Sequence, residues 1–362
     1  MKAFDEIEAQ QLNVIVAISH AGEDAKFREF GATKTDGISV ASTQIDINSV
    51  TKTVTGVMAA KLVDQGKLST DETLADVFED VPVDKRSITL HQLLTHSSGM
   101  IDAVGDDAEK IGRDDFLERA FHSELLFEPG SGYSYSNTGY GVVAAAIELR
   151  SGKTYEEYLQ QHVCVPIGLT STGYSAVYLE DLSLRTTTGS AIADASWGGD
   201  VPYWNLIGNG GLISTVPDMM AFRRAVASGA VISREMLETV HTPHIAEDFT
   251  AVSHYGYGVV IEDTDEAGRF YWHSGGNNFY SDEWADYPVA GDLIFTAGTE
   301  DDAFTAIHTL ERNLYGYDRD DLLRQIVAAG VVGILCLLAV IAAVVRWFVR
   351  RRNQRTENTG GL

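Results

Sequence analysis

Residues 49–66 read Ser49-Val-Thr-Lys-Thr-Val-Thr-Gly-Val-Met-Ala-Ala-Lys-Leu-Val-Asp-Gln-Gly66. Val50, Val54, Val57, Met58, Leu62 and Val63 recur at intervals of three and four, the period of a helix with a buried face, and Gly66 supplies a stop. Ser49 and Lys52 stand three apart at the start of that helix, one turn from each other on the same side. A hydroxyl becomes a useful nucleophile when a base lies within hydrogen-bond reach. The first turn of a helix adds backbone N–H groups and the positive end of the dipole beside a developing oxyanion. The pair is short enough to arise by chance, so its weight depends on what surrounds it.

Outward from this helix the chain is strand-like at both ends and helical between. Val14 to Ser19 and the stretch around Phe27 to Gly31 read as a short antiparallel pair. After a loop-rich middle, Gly139–Leu149, Thr154–His162 and Thr215–Ser228 read as helices, the last opening on Thr-Val-Pro-Asp. Strands return at Tyr255–Ile261, Arg269–His273 and Asp292–Ala297, and a final helix is expected over Asp302–Leu314. Strands enclosing a helical middle predict an α+β domain, an antiparallel sheet with a mostly helical insertion.

Composition narrows the function. Apolar residues make up 44% of the 362, an ordinary globular balance, while 27 Lys and Arg face 52 Asp and Glu, a net charge of −25. A surface that negative repels phosphate backbones, which argues against nucleic-acid binding. Only nine of the bases are Lys, and an excess of carboxylate with few Lys suits a protein kept soluble in high salt. Cys164 and Cys336 are too few for a disulfide framework or a Cys-based zinc site. Neither a G-x-S-x-G elbow nor an H-E-x-x-H helix is present. Gly139-Tyr-Gly141-Val-Val-Ala144 has the letters of a dinucleotide fingerprint but lacks the preceding βαβ strand. No cofactor or metal is called for.

Two further segments strengthen the Ser49–Lys52 pair, and a third competes with one of them. Tyr135-Ser-Asn137 closes a turn-rich stretch that feeds a helix, presenting a phenol and an amide suited to proton relay and hydrogen bonding. Tyr203-Trp-Asn205 repeats that spacing and is a rival to it. His273-Ser-Gly275-Gly276 ends a strand with small residues, where a substrate can lie close to the backbone.

Taken in order, Ser49-x-x-Lys52, Tyr135-x-Asn137 and His273-x-Gly275 resemble the serine β-lactamase and penicillin-binding-protein superfamily, above all its class C and esterase or D-aminopeptidase-like branch. Leu93 to Met100, Pro129-Gly, Val165 to Leu169 and Gly208 to Thr215 add to the resemblance, which spans roughly residues 12–314. It implies a β-lactamase/transpeptidase-like sheet flanked by helices. It also implies a mechanism in which Ser49 forms an acyl-enzyme, Lys52 serves as base with Tyr135 relaying the proton, and Asn137 orients the substrate. His273 and Gly275 would line the substrate's path, and the backbone N–H groups of Ser49 and Gly276 would form the oxyanion hole. Whether Lys52 or Tyr135 is the acting base stays open. His96, Ser97 and Ser98 are expected to be structural, and Tyr203 to Asn205 to be pocket wall. Many relatives carry Lys where this chain has His273, which puts strong β-lactam turnover in doubt.

The C-terminal end reads differently. Residues 326–345 are all Ile, Val, Ala, Gly, Leu or Cys, a run whose helix would span about 30 Å. Arg346, Arg350, Arg351, Arg352 and Arg355 follow it. The expected organisation is a hydrolase domain over 1–314, a linker over 315–325, a transmembrane helix over 326–345 and a basic tail over 346–362. By the positive-inside tendency the tail would be cytoplasmic and the hydrolase outside, although the N-terminus does not read as a signal peptide. The functional expectation is a membrane-anchored serine hydrolase acting on a small-molecule or short peptide ester or amide, with the lipid bilayer as its other partner. The alternatives are D-alanyl-D-alanine carboxypeptidase-like or β-lactamase activity, and a non-catalytic sensor that retains the pocket.

Overall fold

The computed structural model describes residues 2–31, 43–107, 109–174, 203–249, 251–278 and 280–319. An N-terminal helix α1 (Lys2–Ala9) leads into strands β1 (Val14–His20) and β2 (Lys26–Glu29). After β3 (Gln44–Asp46) and a 3₁₀ turn at Asn48–Val50 comes α2 (Thr51–Asp64), then α3 (Leu74–Val77), α4 (Leu90–Leu94), α5 (Arg113–His122), α6 (Asn137–Ser151), α7 (Tyr155–Leu159) and α8 (Val165–Ile167). Strand β4 (Ile213–Thr215) precedes α9 (Val216–Ser228) and α10 (Arg234–Val240). The chain then returns to strands with β5 (Ile245–Ala246), β6 (Ser253–Tyr255), β7 (Val260–Thr264), β8 (Gly268–Gly276), β9 (Tyr280–Tyr287) and β10 (Asp292–Thr299), and α11 (Asp302–Leu314) follows.

Eight strands form one sheet in the order β2-β1-β10-β9-β8-β7-β6-β5, every neighbouring pair antiparallel, while β3 and β4 pair separately. β1, before the helical insertion, and β10, after it, therefore lie side by side. α11 presents its apolar stripe, Ala303, Ala306, Ile307 and Leu310, to β9 and β10 and is joined by α1. The chain as far as Tyr315 forms one compact unit.

α2 is buried on nearly every side from Thr51 to Ala60, and α6 from Thr138 to Ile147. Helices without a polar face belong inside a core, and these two pack on each other. Gly56 permits a close approach: a Cβ there would sit 2.3 Å from the carbonyl oxygen of Tyr257. Thus α2, which carries Lys52, is wedged between the helical insertion and the segment joining β6 to β7.

The transmembrane helix in the expected fold is corrected here. Among the described residues no helix is long and apolar enough to cross a membrane. The longest, α6, has 15 residues, a span of about 22 Å against about 30 Å of bilayer hydrocarbon. Residues 326–345, on which the expectation rested, lie outside the described residues. The single-pass localisation and the bilayer contact are withdrawn with it.

Candidate active site

Ser49 sits in the 3₁₀ turn that leads into α2, and Lys52 lies in the first turn of that helix. The Lys52 side chain is 0% exposed. Its Nζ donates to three oxygens: Ser49 Oγ at 3.2 Å, Asn137 Oδ1 at 2.6 Å and the Asn209 carbonyl at 2.6 Å. It also lies 4.7 Å from the centre of the Tyr135 ring. Burial pushes Lys52 down to about 7, against the opposing pull of Asp102 and Asp107.

That geometry selects the proton source. Asn137 Oδ1 and the Asn209 carbonyl can only accept hydrogen bonds, whereas the Ser49 hydroxyl can also donate. A neutral Lys52 that keeps its two N–H bonds to those carbonyls has its lone pair left for the Ser49 O–H. Asn137 is itself held in the required orientation, because its Nδ2 donates to Asp102 Oδ1 at 2.9 Å and its backbone N–H to the same oxygen at 3.2 Å. Asp102 therefore fixes which end of the amide faces Lys52.

The loop that brings Tyr135 and Asn137 to Lys52 is laid along the segment from His96 to Asp102. Gly130 N–H donates to the Ser97 carbonyl, Ser134 N–H to that of His96 and Thr138 N–H to that of Asp102. Ser136 N–H donates to His96 Nδ1 at 3.0 Å, and Ser136 Oγ to the Ile101 carbonyl at 2.8 Å while it caps α6. Because His96 Nδ1 accepts, the neutral ring carries its proton on Nε2. Burial, reinforced by the charges of Lys52 and His273, holds His96 well below the usual histidine range. His96 is thus a structural residue, in keeping with the reading of its sequence. Burial pushes the half-buried Tyr135 phenol above its ordinary range, while a hydrogen bond with Ser49 opposes the rise, so it stays protonated at neutral pH.

Strand β8 closes the other side. A Cβ on Gly275 would lie 2.8 Å from Asn48 Cβ and 2.8 Å from the Ser49 nitrogen, so only glycine lets this strand approach the Ser49 turn. Gly276 lies one residue further on and lines the cavity in front of Ser49. That cavity, about 100 Å³, is also lined by Asp46, Asn48, Asp107, Asn137, Asn209 and Asn277. Its described lining holds two acids and no base.

His273 does not line it. The ring is buried, with Nδ1 2.7 Å from the Ser274 carbonyl and Nε2 2.8 Å from the Tyr255 hydroxyl. The carbonyl can only accept, so Nδ1 carries the proton and Tyr255 donates to Nε2. Burial and the charge of Lys52 push His273 down to about 3, and it offers no positive charge at neutral pH. Of the rival Tyr203-x-Asn205, Asn205 Nδ2 donates to the Asp106 carbonyl at 2.7 Å, while its buried Oδ1 has no hydrogen-bond partner among the described residues. Asp46, Asn48, Asp102, Asp107, Asn209 and Asn277 were not singled out from the sequence. Of these, only Asn209 lay in a segment that had drawn notice, Gly208 to Thr215.

Residues 2–294 match the protein-family description Beta-lactamase. The chain belongs to the beta-lactamase family. This places it among the serine hydrolases. It is 26% identical over 321 residues to a penicillin-binding protein of Bacillus subtilis (strain 168), covering 82% of this chain and 70% of that protein. The D-alanyl-D-alanine-carboxypeptidase/endopeptidase AmpH of Escherichia coli (strain K12) is 29% identical over 59% of this chain, which spans 57% of that relative's length. Among solved structures, the D-stereospecific amidohydrolase from Streptomyces sp. superposes with a TM-score of 0.71 over 87% of this chain and 99% of that one, at 20% identity. That likeness is one of fold.

Proposed function

We propose that this family member hydrolyses an ester or amide by acyl transfer through Ser49. The observation that carries the reading is the contact between Lys52 Nζ and Ser49 Oγ at 3.2 Å, made by an amine that burial holds near neutrality. Lys52 takes the hydroxyl proton as Ser49 Oγ attacks the substrate carbonyl carbon. The oxyanion that forms is met by the N–H groups of Ser49 and Gly276. Collapse breaks the bond to the leaving alcohol or amine, which takes a proton relayed from Lys52 through Tyr135. Water then attacks the acyl carbon and returns Ser49. Lys52 is favoured as base because the phenol's proton is held more tightly across the neutral range.

The charge lining the cavity bears on the substrate. Asp46 and Asp107 stand at its wall, Asp46 pushed up by burial to about 6 and so mostly ionised at pH 7. With His273 neutral, nothing in the described lining attracts a carboxylate. The site suits an ester or amide whose acyl part is neutral or positively charged better than it suits a β-lactam or a peptide ending in a free carboxylate.

The test compares wild type with Ser49→Ala on a fluorophosphonate probe, a panel of p-nitrophenyl esters, D-amino-acid amides and a chromogenic cephalosporin. Wild type should label at residue 49 and turn over esters or amides faster than the cephalosporin, and Ser49→Ala should do neither. Equal hydrolysis by the two proteins would refute the assignment.

A further inference from the structure

The two backbone donors proposed to hold the oxyanion come from separate elements: Ser49 from the turn before α2, Gly276 from the end of β8. An oxyanion hole works only if its donors are fixed relative to each other before the charge develops. In this chain a run of side-chain hydrogen bonds joins those two elements directly.

Asn48, immediately before Ser49, adopts a left-handed backbone with φ of 43°, a conformation that Asn tolerates better than most residues. Its N–H donates to Asp46 Oδ1 at 2.9 Å, which holds the turn. Its side chain passes over Gly275, whose missing Cβ leaves the room, and its Nδ2 donates to Asp282 Oδ2 on β9 at 2.8 Å. Gly275 and Asp282 are register partners across β8 and β9. From the other side Asn277, the residue after Gly276, donates Nδ2 to Asn48 Oδ1 at 2.8 Å. Asn277 is in turn locked to the β9 end of the hairpin, its Oδ1 accepting from Tyr280 N–H at 3.0 Å and its N–H donating to the Tyr280 carbonyl at 2.9 Å. The residues flanking the two donors are therefore bonded to each other and to the same hairpin.

We infer that Asn48, Asn277 and Asp282 form a clasp that sets the spacing of the Ser49 and Gly276 N–H groups, and that these are positioning residues for acylation. The inference rests on the acyl-enzyme reading. Asp282 serves as the fixed acceptor at its base. Burial holds its carboxyl well above the usual range, and its Oδ1 has no hydrogen-bond partner among the described residues. What Asn48 requires from that position is an acceptor oxygen rather than a charge.

The test is the second-order rate of fluorophosphonate labelling of the full chain from pH 6 to 9, with inhibition by phenylboronic acid, whose tetrahedral adduct on a serine occupies an oxyanion hole. Asn277→Ala, at a half-buried turn, and Asn48→Gly, which suits the left-handed backbone, should each slow labelling about 10- to 100-fold, the scale of a misplaced donor. Both should weaken the boronate by a similar factor, keep the midpoint of the pH profile, and unfold within a few degrees of wild type. Asp282→Ala should behave like them, and Asp282→Asn should restore near wild-type labelling because it keeps the acceptor. Wild-type rates in both Asn277→Ala and Asn48→Gly would overturn the clasp. Because Asn277 Nδ2 also reaches Asp46 Oδ2 at 3.4 Å, the profile is repeated in an Asp46→Asn background, and a loss whose midpoint stays shifted there would also overturn the clasp, since it would mean that the base had been disturbed instead. Failure of wild type to label, or labelling undiminished in Ser49→Ala, would overturn the hydrolase reading itself and is distinguishable from both.

Discussion

Lowering the pH through neutrality should switch off acylation by protonating one group, Lys52. With that amine at about 7, its neutral fraction falls about tenfold for each pH unit below 7, so kcat/KM at pH 5 should be about one-hundredth of its plateau. Above pH 8 the profile should be flat, because Tyr135 is held above its ordinary range. The two buried histidines add no limb between pH 5 and 8, since His273 lies at about 3 and His96 well below its usual range. Asp46, at about 6, and Asp107, raised by burial and facing Lys52, line the same cavity and can blur the slope, and Asp46→Asn and Asp107→Asn separate their contributions. The assay is initial-rate hydrolysis of a p-nitrophenyl ester from pH 5 to 10, each point corrected with Ser49→Ala for spontaneous hydrolysis. A rate that climbs with unit slope as far as pH 10 would mean that Lys52 titrates as an ordinary lysine. The claim that burial has prepared it as a base would then be wrong.

Two other consequences follow from the same contacts. Asp102→Ala frees the Asn137 amide to turn, loosening the hold on Lys52, and should cut kcat by about 10- to 100-fold with a small change in KM, read by steady-state kinetics. Lys52→Met should abolish turnover and raise the thermal midpoint, more at pH 6 than at pH 9. The unfolded lysine holds its proton to about 10.5 and the folded one only to about 7, so wild-type stability rises with pH between those values and the full penalty applies below 7. That penalty is about 5 kcal/mol at most, offset by the hydrogen bonds that Met cannot make, and differential scanning calorimetry at the two pH values measures the difference.

What could be read from the sequence was what local periodicity encodes. α2, α9, α11 and the β1–β2 pair show apolar repeats or stop signals within a few residues, and the structure has helices and strands there. Strand β9 was missed although it lies inside the sheet, because Tyr280 to Tyr287 carries Asp282, Glu283 and Asp286 where a buried strand is expected to be apolar. Two of its polar residues find partners distant in sequence: Asp282 Oδ2 accepts from Asn48 Nδ2, and Ser281 Oγ accepts from the Ala303 N–H at the start of α11. The short helices α3 and α4 and the ten-residue α5 went unread in the loop-rich middle, where the apolar pattern is broken and polar. At the site, Ser49, Lys52, Tyr135 and Asn137 could be singled out because short spacings name them. Asp102 and Asn277 act through partners distant in sequence, and Asn209 acts through a backbone carbonyl, which no letter records.

Several costs in this structure lie around Ser49, though not all do: Arg223, away from that cavity, is buried with no hydrogen bond to its guanidinium among the described residues. Among the described residues no carboxylate contacts the buried Lys52 amine, in a setting where an unpaired charge is expensive. Asn48 is held in a left-handed backbone one residue before the nucleophile, and His96, beneath the Tyr135 loop, is held in another at φ 58°. Asp282 is buried beside Asp46, and burial together with the Asp46 charge makes its ionisation harder. A protein needing only a stable pocket gains little from a buried amine with no carboxylate in contact among the described residues, although a methionine at residue 52 would leave Asn137 Oδ1 and the Asn209 carbonyl without their donor. Under the proposed mechanism these features bear on what acyl transfer uses: the charge state of the base, the orientation of the hydroxyl and the separation of two N–H groups. The Lys52→Met experiment separates a hydrolase from a sensor with the same pocket: under the proposed mechanism the substitution abolishes turnover while relieving the burial of the amine, whereas a sensor would lose no turnover.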